Sequence, residues 1–228
     1  AIIIIIFTLG SKFLGFIREV LTAAKFGAGM ETDTYFVAMT ATTLITTFIG
    51  SAITTTFIPI LSEIESKEGR EEKINHTNNM INIILVFSSI LILVGWIAAP
   101  LLVKLLAKGF YGEQFNLAVK LTRIGLPKIV ISCVIGVTTG FLQSEQRYNS
   151  SAAIGFPLNF VFIFYLLFLS TFFGIKGFMA ASVVATLMQI LIQIPEIKKT
   201  GYRYKFIFDL KDIYIKRVLI LSLPVFVG

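Results

Sequence analysis

Apolar residues along this chain come in blocks of about twenty, separated by short polar connections. Six such blocks can be drawn: 1 to 24, 34 to 60, 78 to 106, 117 to 142, 151 to 173 and 176 to 195. Some 20 helical residues at about 1.5 Å each cross a hydrocarbon core roughly 30 Å thick, so each block predicts a transmembrane α-helix. A seventh block begins near Val218 and is still running at Gly228, which predicts that the span continues beyond this sequence. The opening run, Ile2 to Phe7, carries no initiating Met, basic flank or small-residue cleavage site, and predicts a membrane helix lacking its first residues rather than a signal peptide. The expected fold is all-α, a polytopic transmembrane helical bundle. Its expected parts are a six-helix lobe over 1–200, an interfacial amphipathic linker over 201–217 and the start of span seven over 218–228.

Composition agrees. Hydrophobic residues make up 56% and charged residues 14% of the chain, against roughly 45–50% and about 25% in a soluble domain. The net charge of +7 could suggest nucleic acid, but the basic residues sit beside apolar blocks, so no nucleic-acid partner is expected and membrane topology explains them. Lys67, Arg70, Lys73, Arg147, Lys198, Lys199, Arg203, Lys205, Lys211, Lys216 and Arg217 fall on one side, and only Lys25, Lys104, Lys108, Lys120 and Lys176 on the other. That bias predicts a cytoplasmic N-terminus, with 61–77, 143–150 and 196–217 inside. The segment 202–217 mixes aromatic and basic residues, which suits either contact with anionic membrane lipids or a plain positive-inside anchor.

The sole cysteine, Cys133, rules out an intrachain disulfide and any cysteine-built metal site. There is no Gly-rich phosphate loop and no Ser/His/Asp set, and the single histidine, His76, is expected in a polar connection in a solvated or capping role. No cofactor is implied.

The polar residues inside the spans carry the chemistry. Span one holds Ser11, Lys12, Arg18 and Glu19. A charge at bilayer depth costs about 2.5–3.5 kcal/mol or more, so such groups face a bundle interior or a wet cavity. At roughly 100° per residue, Ser11, Gly15 and Arg18 form one stripe, with Lys12 and Glu19 beside it. Two cations suit a phosphate, with Glu19 tuning the charge; an internal Arg–Glu bridge with a snorkelling lysine is the structural alternative. Span two carries Thr40, Thr43, Thr47 and Thr54 with Gly50 at helical spacing, suited to an aqueous path or to close helix packing. Pro127 and Pro157, with Gly125 and Gly155, are expected to kink spans four and five.

The strings SKFLGFIRE from Ser11, FGAGMETDTYFVAM from Phe26 and FIPILSE from Phe57 resemble the opening of the MurJ (MviN) lipid II flippases, of the multidrug/oligosaccharidyl-lipid/polysaccharide exporter superfamily. A looser likeness continues through GLPKIVISCVIGVTTGFLQSEQRY and the Pro-Leu-Asn of span five. The resemblance implies two six-helix lobes around a central cavity, of which this chain supplies the first. It implies that Arg18 is a cavity arginine, Glu19 its acidic neighbour and Asp33 the acid after FGAG, with Lys12 standing where many members carry another arginine. Span two departs from the pattern: Thr42-Thr43 and Thr46-Thr47 replace Pro-Asn and a pair of arginines.

The expected substrate-binding set is Lys12, Arg18, Glu19, Asp33, Ser11, Thr43 and Thr47. The expected function is a flippase for an undecaprenyl-pyrophosphate-linked sugar in the bacterial inner membrane, working beside the cell-wall synthesis machinery. A drug or cation antiporter of the same superfamily is the runner-up, and would need deeper carboxylates. A membrane enzyme acting on lipid-linked sugars would need a catalytic surface loop, and an inactive scaffold would lack transport.

Overall fold

The computed structural model describes residues 2–218 and 220; the side chains of 2–4 and 48–55 and the remainder of the expected seventh span lie outside the described residues. Gly50 and Thr54 of the span-two stripe fall among those side chains. The described chain is helical, without strands. In order come α1 (Ile2–Phe26), α2 (Met30–Glu68), α3 (Arg70–Leu106), α4 (Gly112–Gly125), α5 (Lys128–Ser144), α6 (Asn149–Ala153), α7 (Gly155–Phe164), a π-turn (Tyr165–Leu169) and α8 (Ser170–Lys199).

The helix limits follow from local chemistry. α1 stops where Gly27 turns to φ 63, and α2 starts three residues beyond, with Glu31 and Asp33 in its first turn, where acids favour the helix N-terminus. α2 and α3 contain 39 and 37 residues, about 58 and 55 Å long, nearly twice the hydrocarbon thickness. Their hairpin turns on Gly69, whose φ of 92 suits glycine. The expected connection 61–77 is therefore helical apart from that residue.

α4 and α5 form one span broken at Leu126 and Pro127, and α6 and α7 are separated by the single residue Ile154. Span five passes into span six inside α8, where Gly174 is non-helical (φ 53, ψ −151) and its carbonyl accepts a 2.6 Å hydrogen bond from the Tyr165 hydroxyl. Three helical stretches among the described residues are long and apolar enough to cross a membrane: Arg70–Leu106, Gly112–Ser144 and Asn149–Lys199. α1 is more polar, because any 18-residue stretch within it includes Lys12, Arg18 and Glu19.

α2 packs against α3, α4 and α5, while α1 packs against α6 and α7, and α8 joins the two groups through α4, α5 and α7. Among the described residues two main apolar cores result, with smaller clusters around Val103 and Cys133. One gathers Phe57, Leu61, Ile64, Val137 and Phe141 near the Gly69 end. The other gathers Tyr35, Phe162, Leu166, Phe178 and Met179 further along the bundle. Ile6, Leu9, Phe13 and Phe16 of α1 remain exposed, an apolar face that only lipid or another part of the protein can cover.

Candidate functional site

Helical geometry divides the polar sector of α1 between two directions. Ser11 and Gly15 face α7: the Ser11 carbonyl accepts a 3.0 Å hydrogen bond from Asn159 Nδ2, and Gly15 lies against the same amide. Gly155 allows this approach, since any side chain there would collide with Ser11 Oγ. Arg18 continues along the stripe with its guanidinium 5.4 Å from the centre of the Phe162 ring, and Nη2 donates to Glu19 Oε1 at 2.6 Å. Its side chain stays 26% exposed. Lys12 and Glu19 lie on the exposed side, and Lys12 has no hydrogen-bond or ion-pair partner among the described residues.

The hydroxyl residues belong to α2. Thr40, Thr43 and Thr47 line a groove of about 290 Å³ with Phe36, Met39 and Leu44. Thr40 and Thr46 turn their hydroxyls to the helix's own carbonyls, at 2.8 Å on Phe36 and 3.0 Å on Thr43. The Thr43 and Thr47 hydroxyls have no such partner among the described residues, which leaves them available to a ligand. Asp33 is apart from these residues, exposed in the first turn of α2 at the end opposite Gly69. The expected set thus resolves into Lys12, Arg18 and Glu19 on α1, Thr43 and Thr47 in the α2 groove, Ser11 within the α1–α7 contact, and Asp33 at a helix end.

A second polar assembly, at the Gly69 end, was not expected. Lys73 is fully buried, with Nζ 2.6 Å from Glu65 Oε2 and 2.7 Å from Glu145 Oε1. Arg70 forks onto Glu145 at 3.2 and 2.9 Å and donates to the Thr200 carbonyl at 2.6 Å. Burial by itself raises the Glu145 pKa, but the hydrogen bonds and charges of Lys73 and Arg70 outweigh it and hold the carboxyl below its ordinary value. His76 is not in a solvated connection: it lies in α3, 5% exposed, stacked near Phe57, and its Nδ1 donates to Asp212 Oδ2 at 2.9 Å. Desolvation raises the Asp212 pKa, but the bonds from His76, Tyr214 and Asn79 prevail and bring it to about 2.

Asp212 belongs to a strap, residues 202–212, that runs extended along α3. Three asparagines one face apart hold it. Asn78 donates to the Arg203 carbonyl at 3.1 Å and accepts from the Tyr202 hydroxyl. Asn79 exchanges bonds with the Asp209 backbone at 2.9 and 2.8 Å. Asn82 donates to Ile207 at 2.8 Å and accepts from Tyr204 at 2.6 Å. The sequence signal was present in the spacing Asn78, Asn79, Asn82 at the start of an apolar span, where only tertiary partners make three amides affordable. Phe206, Leu210 and Ile213 point outward beside Lys205 and Lys211.

Helices long and apolar enough to cross a membrane, with cations on the exposed face of α1 and hydroxyls on α2, make this part of a polytopic helical membrane protein. A family model described as lipid II flippase MurJ matches residues 22–228. The chain belongs to the MurJ lipid II flippase family. It is 27% identical over 226 residues to the probable lipid II flippase MurJ of Buchnera aphidicola subsp. Acyrthosiphon pisum, covering 97% of this chain and 44% of that one. With lipid II flippase MurJ of Burkholderia cenocepacia it shares 30% over 198 residues, 85% of this chain and 38% of that one. The chain therefore spans less than half the length of these relatives. Among solved structures, lipid II flippase MurJ in an inward closed conformation superposes with TM-score 0.78 at 23% identity, over 100% of this chain and 48% of that one. A MATE transporter in complex with MaD3S gives 0.77 at 15% identity, over 98% and 52%. At these identities the structural likeness concerns the fold.

Proposed function

We propose that this chain forms the first lobe of a flippase that moves an undecaprenyl-pyrophosphate-linked sugar, lipid II or a related glycan, across the bacterial inner membrane by alternating access. The carrying observation is the presence on α1 of Lys12, without a partner among the described residues, together with a partly exposed Arg18, in a chain of this family. Lys12 and Arg18 attract the pyrophosphate, Glu19 holds the guanidinium in place until a phosphate competes for it, and Thr43 and Thr47 donate to headgroup oxygens. Ser11 sets the α1–α7 approach that aims Arg18, and Asp33 marks the rim of the path. No bond of the substrate is made or broken, so the protein is a transporter and not an enzyme.

The lobe occupies 1–200, the segment 201–217 leads at the cytoplasmic interface towards span seven, and 218–228 begins that span. With the N-terminus inside, the Gly69 end faces the cytoplasm, where the outward aromatic and basic residues of 202–217 meet anionic lipids and the cell-wall synthesis machinery is the partner. Flipping of a fluorescent lipid-linked sugar in vesicles tests the proposal. Arg18→Ala should abolish flipping at unchanged abundance, and Arg18→Lys should retain part, because a point charge keeps attraction without the bidentate fork. Equal loss of folded protein in both variants would instead identify Arg18 as a structural partner of Glu19 and Phe162.

A further inference from the structure

α5 opens with a cation that has no role in the site described so far. Lys128 follows the Pro127 break and is 7% exposed, inside the apolar stretch Gly112–Ser144. Its only hydrogen-bond partner among the described residues is the Met39 thioether, 3.5 Å from Nζ, and no carboxylate pairs with it there. A thioether is a weak acceptor and an ammonium has three donors to place, so the interaction leaves most of the charge uncompensated. An ionisable side chain left in that condition at membrane depth marks a ligand path more often than a packing role.

Met39 connects this lysine to the α2 groove. It lines the groove with Thr40, Thr43 and Thr47 while its sulfur touches Lys128. Methionine is unbranched with three rotatable side-chain bonds, so it can swing aside without disturbing α2. Behind it an ammonium is held, and beside it two hydroxyls have no partner among the described residues.

Resting on the reading that the protein carries a phosphate-bearing lipid, we infer that Lys128 together with Thr43 and Thr47 forms a second anion subsite, for the phosphate end of a polyprenyl pyrophosphate-linked ligand. The ligand displaces the Met39 thioether, supplies Lys128 with its counter-charge and accepts from the two hydroxyls.

The test is calorimetric titration of the purified whole protein in detergent with farnesyl pyrophosphate, inorganic pyrophosphate and farnesol. Lys128→Met and Thr43→Val should each weaken farnesyl pyrophosphate binding, the former about tenfold or more, with Lys128→Arg keeping part of it and farnesol unaffected. Lys128→Met should also raise or preserve the melting temperature, because a lone buried charge is removed. An unchanged affinity in Lys128→Met overturns the subsite, and Arg18→Ala run alongside then still reports on the proposed function. If the parent protein binds no farnesyl pyrophosphate, the functional reading itself fails. Inorganic pyrophosphate bound as tightly, with the same dependence on Lys128, would overturn the assignment to a lipid-linked ligand. Should Lys128→Met not fold, Thr43→Val decides: undiminished affinity sinks the proposal.

Discussion

Lys73 shows how far a single buried charge can organise its surroundings. It is enclosed by Glu65, Glu145 and the Phe141 ring, and those carboxylates belong to α2 and to the end of α5. Removing one partner of a buried pair leaves the other uncompensated, which costs about 3–5 kcal/mol, whereas an exposed pair is worth at most about 1 kcal/mol. Lys73→Met should therefore lower stability by about 3 kcal/mol, near the low end because Arg70 still reaches Glu145. Lys67→Ala, which breaks only the exposed bridge to Glu63, should change it by no more than about 0.5 kcal/mol. Thermal unfolding in detergent compares the two; equal effects would contradict the burial argument. Sequence reasoning found Arg18 and Glu19 because charges in an apolar run stand out by themselves. It counted Lys73 only as a topological charge, because its partner Glu145 is 72 positions away and nothing local announces the pairing. Lys128, inside the expected span 117 to 142, was not singled out, and its burial is a property of the assembled bundle.

At the level of elements, the informative contrast is between the helices and the strap. The spans were legible because each satisfies its backbone internally and needs only length and apolarity. The strap satisfies its backbone through side chains more than a hundred positions earlier, so an amphipathic segment was all the sequence could show. Asn79 is the hub, bonded to both the Asp209 backbone and Asp212. Asn79→Ala should release residues 207–212, read as faster hydrogen exchange at the Asp209 amide and faster proteolysis in the strap, with the spans unchanged. The clasp should also fail in acid. Asp212 has its pKa lowered from 3.8 to about 2, so its contribution is complete above its unfolded value and disappears as the pH falls through about 2. Strap protection should therefore persist at pH 5 and decline between about pH 4 and 2. Protection unaffected across that range would mean that the asparagines alone hold the segment.

For the whole molecule, orientation is the property on which the proposed transport cycle depends, and the charge bias of the sequence is its main support. The structure adds a physical counterpart: the extended α2–α3 hairpin, the Lys73–Glu145 assembly and the strap share one end of the bundle, while Lys108 and Lys176 lie at the other. If the Gly69 end faces the cytoplasm, pyrophosphate-bearing lipid meets Lys12 and Arg18 from the side on which it is made, and release occurs towards the Asp33 end. Single cysteines test this on a Cys133→Ala background, since Cys133 is buried and its replacement leaves no competing thiol within residues 1–228. Lys67→Cys and Lys205→Cys, both at exposed positions, should resist a membrane-impermeant maleimide added to intact cells and react once the membrane is opened. Gly109→Cys, exposed in the turn between α3 and α4, should react from outside at once. The reverse pattern would invert the lobe, place the cationic face of α1 against the wrong leaflet for loading, and remove the alternating-access scheme proposed for this protein.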